Sequence, residues 1–447
     1  MRSESAPHHH AHVERVVDLL DQGLNVFLNT TFGEAVDAVR SGNPDRVRAI
    51  EGQFALAAKD GSTVRMARSI GRPMRYFLAK RAEGPCLVIS ERIDEIYGFL
   101  KEEGLAAQFH PSYTRMVPAH YILEIQLVGC PDPNPAYSRY LTPERDVLDG
   151  SLDAIGAAYI GRLAEVCDKW LSRIDERAPI GVLFSGGVDS GSVFLVLYHL
   201  LMQRGASPSR LKAFTLSVDG GDDTEQARMF LEALGLMLFL ETIEARPDDI
   251  DYREAVRVIE DYKPLDVQAA AMTLALCKGI RSRYPEWTYL VDGDGGDENL
   301  KDYPIEDNPE LTIRSVLNNL MLYQEGWGVN AVKHSLTYSG GQSRGHVRTY
   351  APARSLGFRG FSPYALPEVI AVAEGIPFVE LTQWDHERLY ALKGDIVRRG
   401  VKAVTGFDMP VHAKRRFQHG VVSPATFASL FPPSEAAYRS ALTALYA

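Results

Sequence analysis

Three observations predict a doubly wound parallel α/β domain preceded by a smaller, strand-rich α+β domain. From about residue 150 onward, short apolar runs alternate with helical patterns, the sequence form of a parallel sheet covered by helices. Two of those runs end in glycine-rich acidic stretches, SGGVDS at 185–190 and DGDGGDE at 292–298. Before residue 140 the apolar runs instead alternate with period two and are parted by turn residues.

In the first part, EGQFALAAKDGSTVRMARS (51–69) reads as a hairpin turning at Lys59-Asp60-Gly61. CLVISE (86–91) and HYILEIQLV (120–128) read as further strands, and HVERVVDLLDQGL (12–24) as a helix. A Pro- and Asn-rich stretch, GCPDPNPAYSRYLTPERD (129–146), marks the boundary. The expected organisation is a disordered tail at 1–12, a small domain at 13–140 and a large domain at 150–447.

The large domain is expected to open with a helix at 152–174, followed by the strand GVLFS (181–185). A helix at 190–204 follows, with Ser190 as N-cap and Gly205 as stop. Then come the strand KAFTLSV (212–218), a helix at 224–234 ended by Gly235, and the strand LMLFLETI (236–243). Helices within 251–283 lead to the strand TYLVDG (288–293), and the chain from about 305 reads as mainly helical.

Composition excludes several classes of protein. The 447 residues carry 45% hydrophobic and 24% charged side chains, ordinary for a globular chain. A net charge of -10 argues against a general nucleic-acid binder. Cys86, Cys130, Cys167 and Cys277 are far apart and form no CxxC, so no zinc knuckle or dithiol motif arises. Scarce cysteines and no visible signal peptide lead us to expect a cytoplasmic protein. The most apolar run, VFLVLYHLLM (193–202), is too short to span a bilayer. His8, His9, His10 and His12 read as part of the tail rather than as a metal site.

The two acidic loops carry the chemistry. Where a strand turns into a helix, Gly186 and Gly187 let the backbone approach a ligand closely. The hydroxyls of Ser185 and Ser190 and the N–H groups of the helix start aim at one point and form an anion nest. Asp189 would repel a phosphate unless a divalent cation lies between them, so the motif implies phosphate with Mg2+. A Walker A loop is excluded because GxxxxGK[ST] is absent from this stretch. In the second loop, Asp292, Asp294, Asp297 and Glu298 repel one another unless a cation or solvent relieves them. An EF-hand starting at Asp292 fails, because its sixth position is Asp297 instead of Gly and its twelfth is Tyr303 instead of Glu. If both loops close on one pocket, Asp189 and Asp297 can share one Mg2+ across a pyrophosphate.

SGGVDS resembles the pyrophosphate loop of N-type ATP pyrophosphatases, an adenine nucleotide alpha hydrolase-like fold. Paired with GDGGDE, it resembles the asparagine synthetase family, which includes β-lactam synthetases. VIEDYKPLDVQA (258–269) is similar to that family's Ile-Glu-x-Tyr segment. HAKRRFQHGVV (412–422) is similar to its late Lys-x-x-Phe-x-x-Gly segment. EGQFALAAKDG, RSIGRPMRYFL, LVISERIDEI and VPAHYILEI resemble, more weakly, segments of the family's Ntn-type glutaminase domain.

The resemblance implies a ligase that adenylates a substrate carboxylate with ATP and Mg2+, releases pyrophosphate, and lets an amine or ammonia attack the acyl-AMP. It implies that Ser185, Gly186, Gly187, Asp189 and Ser190 hold the pyrophosphate. Asp189 and Asp297 would ligate Mg2+, and Leu183, Val218 and Gly293 would line the adenosine pocket. Lys414 would neutralise charge developing in the transition state. Asp294 stands near the attacking amine, and Glu260 is a second candidate for deprotonating or orienting it.

The sequence departs from the family at two places. The glutaminase uses an exposed cysteine at position two, where this chain has Arg2. The small domain is therefore expected to be a degenerate scaffold, with nitrogen coming from ammonia, a partner or the substrate's own amine. The second departure is SRGHVRTYAPAR (343–354) and SLGFRGFSPY (355–364), where Arg344, His346, Arg348, Arg354 and Arg359 either clamp a substrate anion or form a solvated basic stretch. Expected partners are small molecules, with no nucleic acid and no membrane; a homodimer stays open. Two other readings compete: a pyrophosphatase-type enzyme acting on a nucleobase or tRNA, and an ATP-binding regulatory pseudo-enzyme.

Overall fold

The computed structural model describes residues 15–81, 84–126, 135–218, 223–302, 305, 312–318, 346–412 and 422–446. Lys414, Arg344, Cys130 and the His8–His12 tract lie outside these residues. The chain divides into two compact units between Thr142 and Pro143. Among the described residues, no helix is long and apolar enough to cross a membrane.

Among its described residues the first unit contains ten strands: β1 (Arg15–Asp18), β2 (Val26–Phe27), β3 (Gly52–Gln53), β4 (Ala55–Asp60), β5 (Thr63–Arg68), β6 (Arg75–Ala79), β7 (Cys86–Ser90), β8 (Arg115–Met116), β9 (Tyr121–Gln126) and β10 (Ala136–Arg139). One four-stranded sheet runs β1-β7-β6-β8, another β10-β9-β5-β4, and β2 pairs with β3. Alternation along the strands explains the layering. Val64, Met66, Leu123 and Ile125 from one sheet share a core with Tyr76, Leu87 and Ile89 from the other. The opposite faces are covered by two helices. Ala35, Ala38 and Val39 of Phe32–Ser41 pack on Leu56, Ala67 and Ile122, and Ile96 and Leu100 of Ile93–Glu102 pack on Phe77 and Val88.

The hairpin expected at Lys59-Asp60-Gly61 forms, with Asp60 opposite Thr63 and Gly61 at φ +57°. The helix expected over 12–24 does not. Val16 and Val17 instead pair in parallel with Leu87 and Val88 as β1, and only Gln22–Leu24 is helical, as a 3-10 turn. Pairing with an edge of the sheet outweighs the helical spacing of the apolar residues.

The second unit is built on β11 (Ile180–Leu183), β12 (Leu211–Val218), β13 (Leu240–Ala245), β14 (Tyr289–Val291) and β15 (Arg359–Phe361). Their order is β13-β12-β11-β14-β15, with every pair parallel. Right-handed crossovers put the β11–β12 and β12–β13 helices on one face and the β13–β14 helices on the other. Packing agrees. Phe184, Phe194 and Phe230 meet edge to face on one side, while Phe214 and Leu216 share a core with Val267, Ala271 and Leu274 on the other. Strand order reverses between β11 and β14, so the loops leaving these two neighbours diverge and open a crevice.

Three boundaries differ from expectation. The helix after β11 is Val188–Gln203 with Gly187 as N-cap, so Ser190 lies inside the first turn. The strand expected from 236 begins at Leu240, after a 3-10 turn at Met237–Phe239 that leaves Leu238 exposed. The region read as mainly helical after 305 also supplies β15, the fifth strand, from three residues too short to show a period.

Candidate functional site

Both glycine-rich acidic loops emerge at the carboxyl edge, from adjacent strands. After β11 the chain turns through Gly186 at φ +72°, where an added Cβ would meet the backbone nitrogen of Ala227 at 2.7 Å. Glycine is required here for both conformation and space. The Ser190 hydroxyl accepts from the Ser185 backbone N–H at 3.2 Å, and the Ser185 hydroxyl accepts from that of Gly187 at 3.2 Å. The two hydroxyls lie 3.2 Å apart. No side chain caps the N-terminus of the helix Val188–Gln203, which leaves its first turn facing the crevice.

The second loop is pressed against the first. A Cβ on Gly293 would meet the Ser190 nitrogen at 2.7 Å and the Asp189 carbonyl carbon at 2.8 Å, and one on Gly296 would collide with the Asp189 carboxylate. Gly295, at φ +100°, turns the chain into the short helix Gly296–Asn299 that carries Asp297.

A third element completes the centre. Lys393, on the helix His386–Thr405, reaches between the loops. Its Nζ donates to Asp189 Oδ2 at 2.6 Å and to Asp297 Oδ1, and lies 3.4 Å from Asp302 Oδ2. Lys393 is buried, with 5% of its surface exposed. Burial works to discharge its ammonium, but the charges of Asp189, Asp297 and Asp302 outweigh that and hold its pKa well above the ordinary lysine range. Sequence reasoning missed Lys393. The available signal was a cation on the same helical stripe as Leu389, Leu392, Ile396 and Val397.

Asp292 and Asp294 face a different set of groups. Asp292 is buried; its Oδ2 accepts from the Ser362 hydroxyl at 2.9 Å and meets the Thr349 hydroxyl at 3.2 Å. The same Thr349 hydroxyl bonds the Asp294 carboxylate, and the Asp294 N–H donates to Asp292 Oδ1 at 3.1 Å. Burial, then the neighbouring charge of Asp294, push the Asp292 carboxyl well above the usual carboxylate range. A single hydroxyl proton serves only one of two carboxylates, so a carboxyl proton on Asp292 satisfies the other contact.

The remaining expected residues are distributed as follows. Leu183 and Val218 stand at the ends of β11 and β12 and border one apolar cluster, and Gly293 follows β14. Glu260 ends the helix Tyr252–Ile259 in the left-handed conformation, φ +51°, buried, and accepts from the Tyr446 hydroxyl at 3.2 Å. It is therefore placed on a helix end and in neither acidic loop. The basic run does not form a single clamp among the described residues. Arg348 pairs with buried Asp266 at 2.7 Å, His346 is buried, and Arg354 lies on the short helix Ala351–Ser355. Arg359 is exposed at the start of β15, the opposite end of the strand from the crevice. A π-helical turn at His346–Tyr350 and a three-residue strand spread these side chains in different directions.

The fold and its paired loops define a parallel α/β domain with two glycine-rich acidic loops at the switch point of its sheet. Residues 168–356 match the family model for asparagine synthase. Over 138 residues, 30% of this chain, it is 27% identical to asparagine synthetase [glutamine-hydrolyzing] 1 of Lotus japonicus. Over a stretch of the same length it is 25% identical to the root asparagine synthetase [glutamine-hydrolyzing] of Pisum sativum. The matched stretch spans 23% of the length of each relative.

Proposed function

We propose that this protein is an ATP-dependent, AMP-forming carbon–nitrogen ligase or cyclase. It adenylates a substrate carboxylate and lets an amine or ammonia attack the acyl adenylate, without glutaminase activity of its own. The observation that carries the reading is the meeting of Asp189 and Asp297, from two separate loops, on one cationic centre at the switch point. Hard carboxylate oxygens from two strand ends, drawn to one positive charge, suit Mg2+ bound together with a polyphosphate.

In this reading Ser185, Ser190 and the glycine N–H groups cradle the pyrophosphate, and Leu183, Val218 and Gly293 border the adenosine. When bound, Mg2+ held by Asp189 and Asp297 supplies charge neutralisation on the leaving pyrophosphate. Lys393 adds a second positive charge beside it. Asp294, steadied by Thr349, takes the proton of the attacking amine, with Glu260 as the alternative. Lys414 neutralises charge on the transferring group.

The first unit is read as a degenerate Ntn-type glutaminase-like domain, supported by its two packed sheets. Its described thiol, Cys86, is buried, and desolvation raises its pKa, the opposite of what a nucleophile needs. A cytoplasmic setting is supported by three buried cysteines that form no disulfide.

The test is ATP–pyrophosphate exchange across a panel of carboxylic acids, with mass spectrometry of products formed from ATP, Mg2+ and a metabolite extract. Exchange that depends on a small acid, followed by a condensed product and AMP, is the expected result. Exchange only with tRNA supports the nucleobase reading, and magnesium-dependent ATP binding without exchange supports a regulatory pseudo-enzyme. Either result overturns the ligase.

A further inference from the structure

We propose that Lys393 is a specificity-determining residue of the candidate metal site, admitting a divalent cation only when it arrives with a polyphosphate. This rests on the nucleotide reading above and goes beyond it. Asp189 Oδ2 and Asp297 Oδ1, one from each loop, are both engaged by Nζ of Lys393. An ion that binds through these two oxygens must displace the ammonium that already holds both.

Two features weight that competition. The ammonium is tethered and buried, and the helix that carries it packs against the helix bearing Asp189, so it need not be recruited from solution. Among the described residues, no group of three or more His, Cys, Asp or Glu side chains is placed to hold a metal. Magnesium demands six oxygen ligands and gives up water reluctantly. Two carboxylates already bound to a lysine leave a bare ion with little to gain. A polyphosphate changes the balance twice: its oxygens complete the metal's shell, and its negative charge offers the displaced ammonium a new partner. Lys393 therefore makes metal entry conditional on the nucleotide.

The test uses the full chain and Mn2+ as the probe, read from the electron paramagnetic resonance signal of the unbound ion. The nucleotide is α,β-methylene-ATP, which resists cleavage between the α and β phosphates. In the wild type, Mn2+ is expected to bind at least fivefold more weakly alone than with the nucleotide. Lys393→Met is expected to strengthen nucleotide-free Mn2+ binding at least fivefold, and adding Asp297→Asn to that variant removes the gain. The inference is overturned if wild-type affinities with and without nucleotide differ by less than fivefold, or if folded Lys393→Met shows no gain. The wild-type comparison decides alone if the variant does not fold. Failure of labelled α,β-methylene-ATP to bind under any metal condition instead overturns the nucleotide reading, and this inference with it.

Discussion

Asp292→Asn should make the second unit progressively more stable than wild type as pH rises. The folded carboxyl of Asp292 is pushed well above the ordinary aspartate value of 3.8 by burial and by Asp294. Above pH 3.8 the folded state therefore holds a proton that the unfolded state has released. A raised folded pKa contributes stability that is complete below the unfolded value and is lost as pH climbs towards the folded one. Each pH unit in that window removes about 1.4 kcal/mol. Asparagine does not titrate, and an amide nitrogen in the place of Oδ2 can donate to the Thr349 and Ser362 hydroxyls while its oxygen accepts from the Asp294 N–H. As pH rises from 5 to 7 the variant should gain on wild type, by up to about 1.4 kcal/mol for each pH unit below the folded pKa. At roughly 2 °C per kcal/mol for a unit of this size, the Tm difference should widen by up to about 3 °C per pH unit. Scanning calorimetry of both proteins across the range reads it. The groups facing Asp292 are Asp294, Ser362, Thr349 and the Phe361 carbonyl, which accepts from the Asp292 backbone N–H. Parallel Tm–pH curves for the two proteins would refute the reasoning, because they would mean that Asp292 is ionised in the fold.

Gly293→Ala should weaken magnesium-dependent ATP binding at least tenfold, because the new Cβ would meet the Ser190 nitrogen at 2.7 Å and force the loops apart; unchanged affinity by calorimetry would count against a shared site. Glu91→Leu removes the carboxylate paired with the buried Arg72 guanidinium, which keeps its hydrogen bonds to Asn25 and the Asp21 carbonyl, and should cost the first unit about 3 kcal/mol, read as a lowered unfolding temperature. Cys86, Cys167 and Cys277 should resist iodoacetamide at pH 8 in the native protein and react once it is unfolded in urea. Burial raises all three thiols, Cys277 to about 12, and peptide mass spectrometry would expose any exception.

The two loops were legible because they are local. SGGVDS and DGDGGDE each combine an apolar strand, a turn that needs glycine and an acid that needs a partner, all within a dozen residues. The alternation of strands and helices around them likewise betrays a parallel sheet. The errors fell where the deciding partner is distant in sequence. Residues 12–24 have helical spacing, yet Val16 and Val17 become a strand because the edge of β7, some seventy residues later, accepts them. In the basic run, which the sequence left open between a clamp and a solvated stretch, Arg348 is paired with Asp266 and Arg359 lies at the far end of β15.

The chain's own residues thus determined the class of sheet, the positions of its glycine-rich acidic loops and the acids that line them, because each follows from spacing and turn chemistry within one segment. Only the tertiary structure decided what those acids face. It set Lys393, about 200 residues beyond Asp189, between the two loops, and it closed Asp292, Thr349, Asp294 and Ser362 into one hydrogen-bonded set. Charge and burial act through space, and a side chain's partner in space is fixed by how helices and strands pack.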